Sequence, residues 1–88
     1  MAIVEVFIPS VISNSKEKAR IKVDAKDVKE LLFLLEKDGI VERNRLFDDS
    51  GKIKKFLNLY VNGKRQNDLE IQLNDGDEVS ILPSVAGG

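Results

Sequence analysis

The sequence predicts an α+β domain: a mixed β-sheet of four to five strands packed on one main helix. Three observations carry this expectation. Residues 3–8, 56–61 and 78–82 are short stretches dense in β-branched, aromatic and aliphatic side chains, the composition of strands. One intervening segment repeats its apolar residues at helical spacing instead. Asn62-Gly63 and Asn74-Asp75-Gly76 then supply the turn chemistry that lets consecutive strands fold back on one another.

Ile3-Val4-Glu5-Val6-Phe7-Ile8, closed by Pro9, reads as the first strand, with Val4, Val6 and Ile8 on one face. Ser10 to Lys18 is a polar loop interrupted by Val11 and Ile12, and Ala19 to Asp24 returns as a hairpin partner with Ile21 and Val23 toward the core. Asp27 followed three residues later by Glu30 is a capping-box variant, marking a helix start. Val28, Leu31, Leu32 and Leu35 give that helix one apolar stripe, and Gly39 suits the position just past an end near Asp38. Ile40 to Lys55 is the least regular stretch. A short helical turn is expected over 41–47, anchored by Leu46 or Phe47, and Asp48 to Lys52 has loop chemistry. Phe56 to Val61 alternates strictly and runs into the Asn62-Gly63 hairpin signal, with Lys64 to Gln66 as a charged edge strand opposite. Leu69, Ile71 and Leu73 lead through a second turn into Glu78 to Leu82, and Pro83 ends the ladder because it has no N–H to donate.

Setting the first and last strands parallel at the sheet centre requires one long crossover, and the helix lies within it. This arrangement is a ubiquitin-like β-grasp. In that frame Phe7, Phe56, Tyr60 and Leu82 take the outward phase of neighbouring strands. Either they form an apolar partner-binding patch beside the C-terminus, or Phe7 and Phe56 lie under the long loops as a satellite core.

Composition removes whole classes of function. With 88 residues the chain has room for one core. Fourteen basic against fifteen acidic residues give a net charge of −1, without the basic excess that nucleic-acid binding requires. No apolar run reaches the length of a membrane span and no leader precedes the first strand, so a cytoplasmic location is expected. The absence of Cys and His excludes disulfides, thiol nucleophiles and Cys/His metal sites, and withholds the usual general base near neutrality. A non-enzymatic role with no metal follows as the expectation.

The end of the chain is Val85-Ala86-Gly87-Gly88. Two glycines contribute nothing to a folded core, but without Cβ atoms they can thread a channel too narrow for other dipeptides. Residues 84–88 could reach about 17 Å when extended, enough to enter a partner's active site. The α-carboxylate of Gly88 is ionised at neutral pH and unhindered. The chain thus divides into a β-grasp domain over 1–83 and a flexible tail over 84–88.

The order of elements, Asp75-Gly76-Asp77-Glu78-Val79 before the last strand, Pro83 after it and Val85-Ala86-Gly87-Gly88 at the end resemble the ubiquitin-like sulfur carriers. That group holds the small subunit of molybdopterin synthase, the thiamin carrier, the sulfur carrier of a cysteine-synthesis pathway and the archaeal small modifier proteins. Residues 56–63 together with 81–88 are most similar to the cysteine-pathway carriers. Ser84 and Ala86 depart from the residues commoner in molybdopterin synthase small subunits, and the 40–55 elaboration is foreign to the shorter thiamin carriers. The resemblance implies that a ubiquitin-activating-like adenylating enzyme uses ATP to activate the Gly88 carboxylate. A sulfur donor then converts it to a thiocarboxylate, which delivers sulfur to an acceptor enzyme such as the molybdopterin synthase large subunit or a cysteine synthase. No stably bound cofactor, nucleic acid or membrane enters that scheme. Val85, Ala86, Gly87 and Gly88 would thread the partners' active sites, while Asp75, Asp77 and Glu78 would shape the turn. Two alternatives use the same residues: a covalent protein modifier joined through Gly88 to lysines of target proteins, and a non-covalent interaction module.

Overall fold

A computed structural model describes residues 2–66 and 68–83. The elements in chain order are β1 (Ile3–Ile8), β2 (Ala19–Asp24), α1 (Val28–Lys37), α2 (Arg43–Leu46), β3 (Leu57–Val61), β4 (Lys64–Gln66) and β5 (Glu78–Pro83). They form a five-stranded sheet of order β2-β1-β5-β3-β4. β1 and β5 are parallel, with Glu5 opposite Glu78 and Phe7 opposite Ser80, and every other pairing is antiparallel. The expected β-grasp topology is therefore present, with the last strand in the middle.

Strand alternation sets the core. Val4, Val6 and Ile8 of β1, Leu57, Leu59 and Val61 of β3, and Val79 and Ile81 of β5 are buried on one face of the sheet. Val28, Leu31, Leu32 and Leu35 of α1 are buried with them in one cluster, each such aliphatic side chain contributing roughly 1.5–3 kcal/mol by leaving water. Ile21 and Val23 of β2 are only half-buried, since that strand is an edge.

The helix ends are built as the sequence implies, with one addition. Asp27 Oδ1 accepts from the Glu30 amide at 2.7 Å, and the Glu30 carboxylate accepts from the Lys26 amide at 3.0 Å, closing the capping box one residue upstream of the cap. The amides of Val28 and Lys29 are satisfied from elsewhere: they donate to the carbonyls of Ile71 and Leu69 at 3.1 and 2.8 Å. The Leu73 amide donates to the Lys26 carbonyl, so residues 69–73 clasp the start of α1. At the other end Gly39 has φ of 74°, its amide donates to the Glu36 carbonyl, and the Ile40 amide donates to the Leu35 carbonyl. That pair of bonds is a Schellman closure, which requires the left-handed conformation glycine adopts without strain. Replacing Asp27 with Ala removes a cap worth about 1 kcal/mol and, for a domain of this size, should lower the thermal midpoint by about 4–8 °C in a circular-dichroism melt.

The irregular stretch after α1 is tied to the body at several points. Ser13 and Val41 form a bridge, Val41 and Leu46 are fully buried, and Phe47 pairs with Ile53. Leu46, rather than the half-buried Phe47, is the anchor. Beyond it Asp48 organises the loop: Oδ1 accepts from the Ser50 hydroxyl at 2.6 Å and from the amides of Ser50 and Lys52. The hydrogen bond from the Ser50 hydroxyl, followed by the one from the Lys52 amide, holds the Asp48 carboxyl below its ordinary range.

Candidate functional site

The sheet face turned away from α1 is where the strand phases bring the predicted patch together. β5 runs down its centre, and register fixes what flanks each outward side chain. Ser80 lies between Phe7 of β1 and Tyr60 of β3, and the same row continues to Arg20 of β2 and Arg65 of β4. The next row toward the end of β5 sets Leu82 opposite Asn58. Phe56 immediately precedes β3 in the same phase.

Phe56 and Leu82 are 43% and 45% exposed, whereas Phe7 and Tyr60 are half-buried. Phe7 is covered in part by an edge-strand cation, and it also lines a groove with Pro9, Val11 and Lys18 of the β1–β2 loop. The Arg20 guanidinium stands 4.1 Å from the centroid of its ring and reaches the Glu5 carboxylate at 3.6 Å. Arg20 was not among the residues singled out from sequence, although counting the hairpin register from Pro9 to Lys18 puts it opposite Phe7. An apolar groove adjoins this patch, lined by Pro9, Val11, Ala19, Ile81, Leu82 and Pro83, where β5 leaves the sheet.

The approach to β5 is held by a polar knot. Asp75 Oδ1 accepts from the Ile3 amide at 2.9 Å, and the Gly76 amide donates to the Ile3 carbonyl. Asp77 accepts from the Asn74 amide at 2.8 Å and from Asn62 Nδ2 at 2.9 Å. Asn62 Oδ1 in turn accepts from the Glu78 amide at 2.9 Å. Asn62 and Gly63 have φ of 51° and 83°, so the predicted Asn-Gly turn forms and its Asn side chain also fastens the β3–β4 hairpin to β5. Asp75 and Asp77 thus shape the turn.

Val85, Ala86, Gly87 and Gly88, with Ser84, lie outside the described residues, so the expected flexible tail over 84–88 does too. β5 carries the chain to Pro83, paired with Leu57 at the end of the patch. Among the described residues no group of three or more acidic side chains is placed to hold a metal ion, and no helix is long and apolar enough to cross a membrane. Ser80 sits at the centre of the patch, flanked by the rings of Phe7 and Tyr60, and the chain has no His to activate its hydroxyl. The arrangement offers a surface on which a partner could dock.

A mixed sheet wrapped on one helix, closed by parallel first and last strands and leading to a Gly-Gly end, defines a ubiquitin-like protein. The family model for the ThiS family matches residues 10–88, and the chain belongs to that family. An Archaeoglobus fulgidus protein named as a sulfur carrier is 30% identical over 97% of this chain and 98% of its own length. The crystal structure of Mycobacterium tuberculosis CysO superposes with a TM-score of 0.79 at 30% identity, over 93% of this chain and 99% of that one. That of the H. volcanii small archaeal modifier protein 1 superposes with a TM-score of 0.72 at 25% identity, over 97% and 100%. One similar structure is a complex of CysO with BexX from Amycolatopsis orientalis, with a TM-score of 0.78 at 32% identity, over 97% of this chain and 99% of that one.

Proposed function

We propose that this protein carries sulfur as a thiocarboxylate on Gly88. The observation that supports the reading most directly is that the family match runs through residue 88, so the Gly-Gly end falls within the segment matched to the ThiS family. A Gly88 carboxylate oxygen attacks the α-phosphorus of ATP in an activating enzyme, releasing pyrophosphate and leaving an acyl-adenylate. Hydrosulfide then attacks the acyl carbon, the bond to AMP breaks, and a proton is released. The resulting thiocarboxylate sulfur is a nucleophile for an electrophilic acceptor in a second enzyme, and hydrolysis of the acyl–sulfur bond afterwards restores the carboxylate. Val85, Ala86 and Gly87 thread both active sites, while the outer sheet face docks on the enzymes' surfaces. Similarity to CysO favours an acceptor on the route to cysteine over one that builds molybdopterin.

The test uses the absence of cysteine. After incubation with ATP, sulfide and a cognate activating enzyme, a thiol-alkylating reagent should add one label that maps to Gly88, read by intact mass and fragmentation. Alkylation is needed because oxidising Met1 changes the mass almost as much as replacing oxygen with sulfur. No label from an activating enzyme shown to be active would overturn the reading. A second reading, a covalent modifier, is favoured by the likeness to the small archaeal modifier protein 1. It predicts protein-linked ladders in lysates that vanish when Gly88 is removed.

For the docking face, Phe56→Ala and Tyr60→Ala should each raise the Kd for the activating enzyme about tenfold or more, because aromatic anchors dominate such interfaces. Isothermal titration calorimetry supplies the Kd, and a thermal melt shows that the variants remain folded.

A further inference from the structure

On the far side of the molecule, α1 carries a feature that neither the core nor the sulfur-carrier reading uses. Phe33, in the middle of the helix, is 57% exposed, at a position where a polar residue would serve the fold as well. Lys29 and Lys37 lie one turn before and after it on the same face. Phe47 and Leu69, both half-buried, join Phe33 around a hollow of about 150 Å³ that also involves Lys29, Glu36 and Arg43. The floor is tied to the body of the domain, Leu69 by the clasp of 69–73 on the start of α1 and Phe47 by its neighbour, the buried Leu46.

Size and charge decide what fits. The hollow is smaller than the roughly 300–1,000 Å³ of a small-molecule site, and matches a single apolar side chain of another protein instead. Its rim is unevenly charged. The Glu36 carboxylate is engaged by Arg43 at 3.7 Å, and the Arg43 guanidinium also lies over the Phe47 ring at 5.7 Å. The Glu30 carboxylate accepts from the Lys26 amide. Among the described residues the ammonium groups of Lys29 and Lys37 have no ion-pair partner. The surface therefore presents an aromatic anchor between two lysines that, among the described residues, are engaged in no ion pair.

A second copy of this chain does not complement it. Antiparallel crossing of two α1 helices at Phe33 would put Lys29 against Lys37 and Glu30 against Glu36 of the second copy. Parallel crossing would set each residue against its equal. Both bring like charges together, which is destabilising.

We propose that the outer face of α1 is a second docking surface, for a protein segment presenting an apolar side chain flanked by Asp or Glu. It faces away from the patch on the other side of the sheet, so one partner can hold the helix while another engages the sheet and Gly88.

The chain has no Trp, so Phe33→Trp creates a single fluorescent reporter in the hollow. The probe is an amphipathic peptide of about fifteen residues with Leu anchors flanked by Glu, long enough to form a helix. Its control has Lys in place of each Glu. The acidic peptide should shift Trp emission to the blue saturably. Lys29→Glu with Lys37→Glu should weaken that response about tenfold or more, rising salt should weaken it too, and deleting Gly88 should leave it unchanged. The same titration on the unaltered chain, followed by amide chemical shifts, should perturb Lys29, Phe33 and Lys37 and not Phe7 or Tyr60. It also stands in if the Trp variant misfolds. No response, an equal response to the basic control, or shifts confined to the sheet face would overturn the proposal. So would an emission shift that depends on protein concentration alone, which would mean self-association.

Discussion

Deleting Gly88 should abolish ATP-dependent exchange of pyrophosphate with a cognate activating enzyme, by at least about 100-fold, while leaving the thermal midpoint where it was. The first half follows from reach. A chain ending at Gly87 still carries a carboxylate, but one residue short, and one residue is about 3.3–3.6 Å of extended chain. Displacing a reacting group by about 1 Å already costs about 100-fold when the active site is preorganised, so the shortened chain cannot be activated at a useful rate. The second half follows from the core, whose buried apolar residues among the described ones run from Ala2 to Ile81. Exchange of labelled pyrophosphate into ATP measures the first, and differential scanning calorimetry the second. Retained exchange would remove Gly88 from the mechanism and leave the outer sheet face as a plain binding surface.

The largest stability effect is expected inland. Leu46→Ala should destabilise the domain by about 2–5 kcal/mol, the range for truncating a fully buried leucine, and lower its thermal midpoint by at least about 10 °C. Leu46 sits at the end of α2 with no exposed surface, and its carbonyl accepts from the Lys54 amide at 2.8 Å. The cavity would thus open where the 40–55 excursion is fastened to the body. Phe47→Ala, at a half-buried site, should cost less. Hydrogen exchange gives the local readout: amides of 41–54 should lose protection in Leu46→Ala before those of β1 and β5 do. Equal melting of the two variants would mean that the excursion is not held by Leu46.

The parts of the fold legible in the sequence are those encoded within a few residues. Asp27 and Glu30 announce a helix start because a carboxylate and an amide three or four residues apart satisfy each other wherever they occur. Asn62-Gly63 announces its turn because few other pairs tolerate two positive φ values. The outward set of Phe7, Phe56, Tyr60 and Leu82 was legible for the same reason, since strand period alone assigns the face. What stayed hidden depends on distant partners. The amides of Val28 and Lys29 find their acceptors some forty residues downstream, on backbone carbonyls that every residue possesses, so no residue type marks the clasp. Arg20 over Phe7 required the register of a hairpin with a long loop. Phe33 lies one step off the stripe of Val28, Leu31, Leu32 and Leu35, and helical spacing alone does not say whether another element covers it.

The strand that leads toward Gly88 is also the keystone of the sheet, joined to β1 by pairs such as Glu5 with Glu78. Its contacts close the longest loops in the chain, so they are the ones whose ordering entropy is hardest to recover early, and the sheet is completed late. A chain released before about residue 78 would hold β1–β2 and β3–β4 as separate hairpins with nothing between them, and isolated hairpins are marginal in water. Completion of the sheet is thereby tied to the same end of the chain on which the proposed thiocarboxylate would form: an unfinished chain would neither fold nor, under that proposal, present a carboxyl group to an activating enzyme.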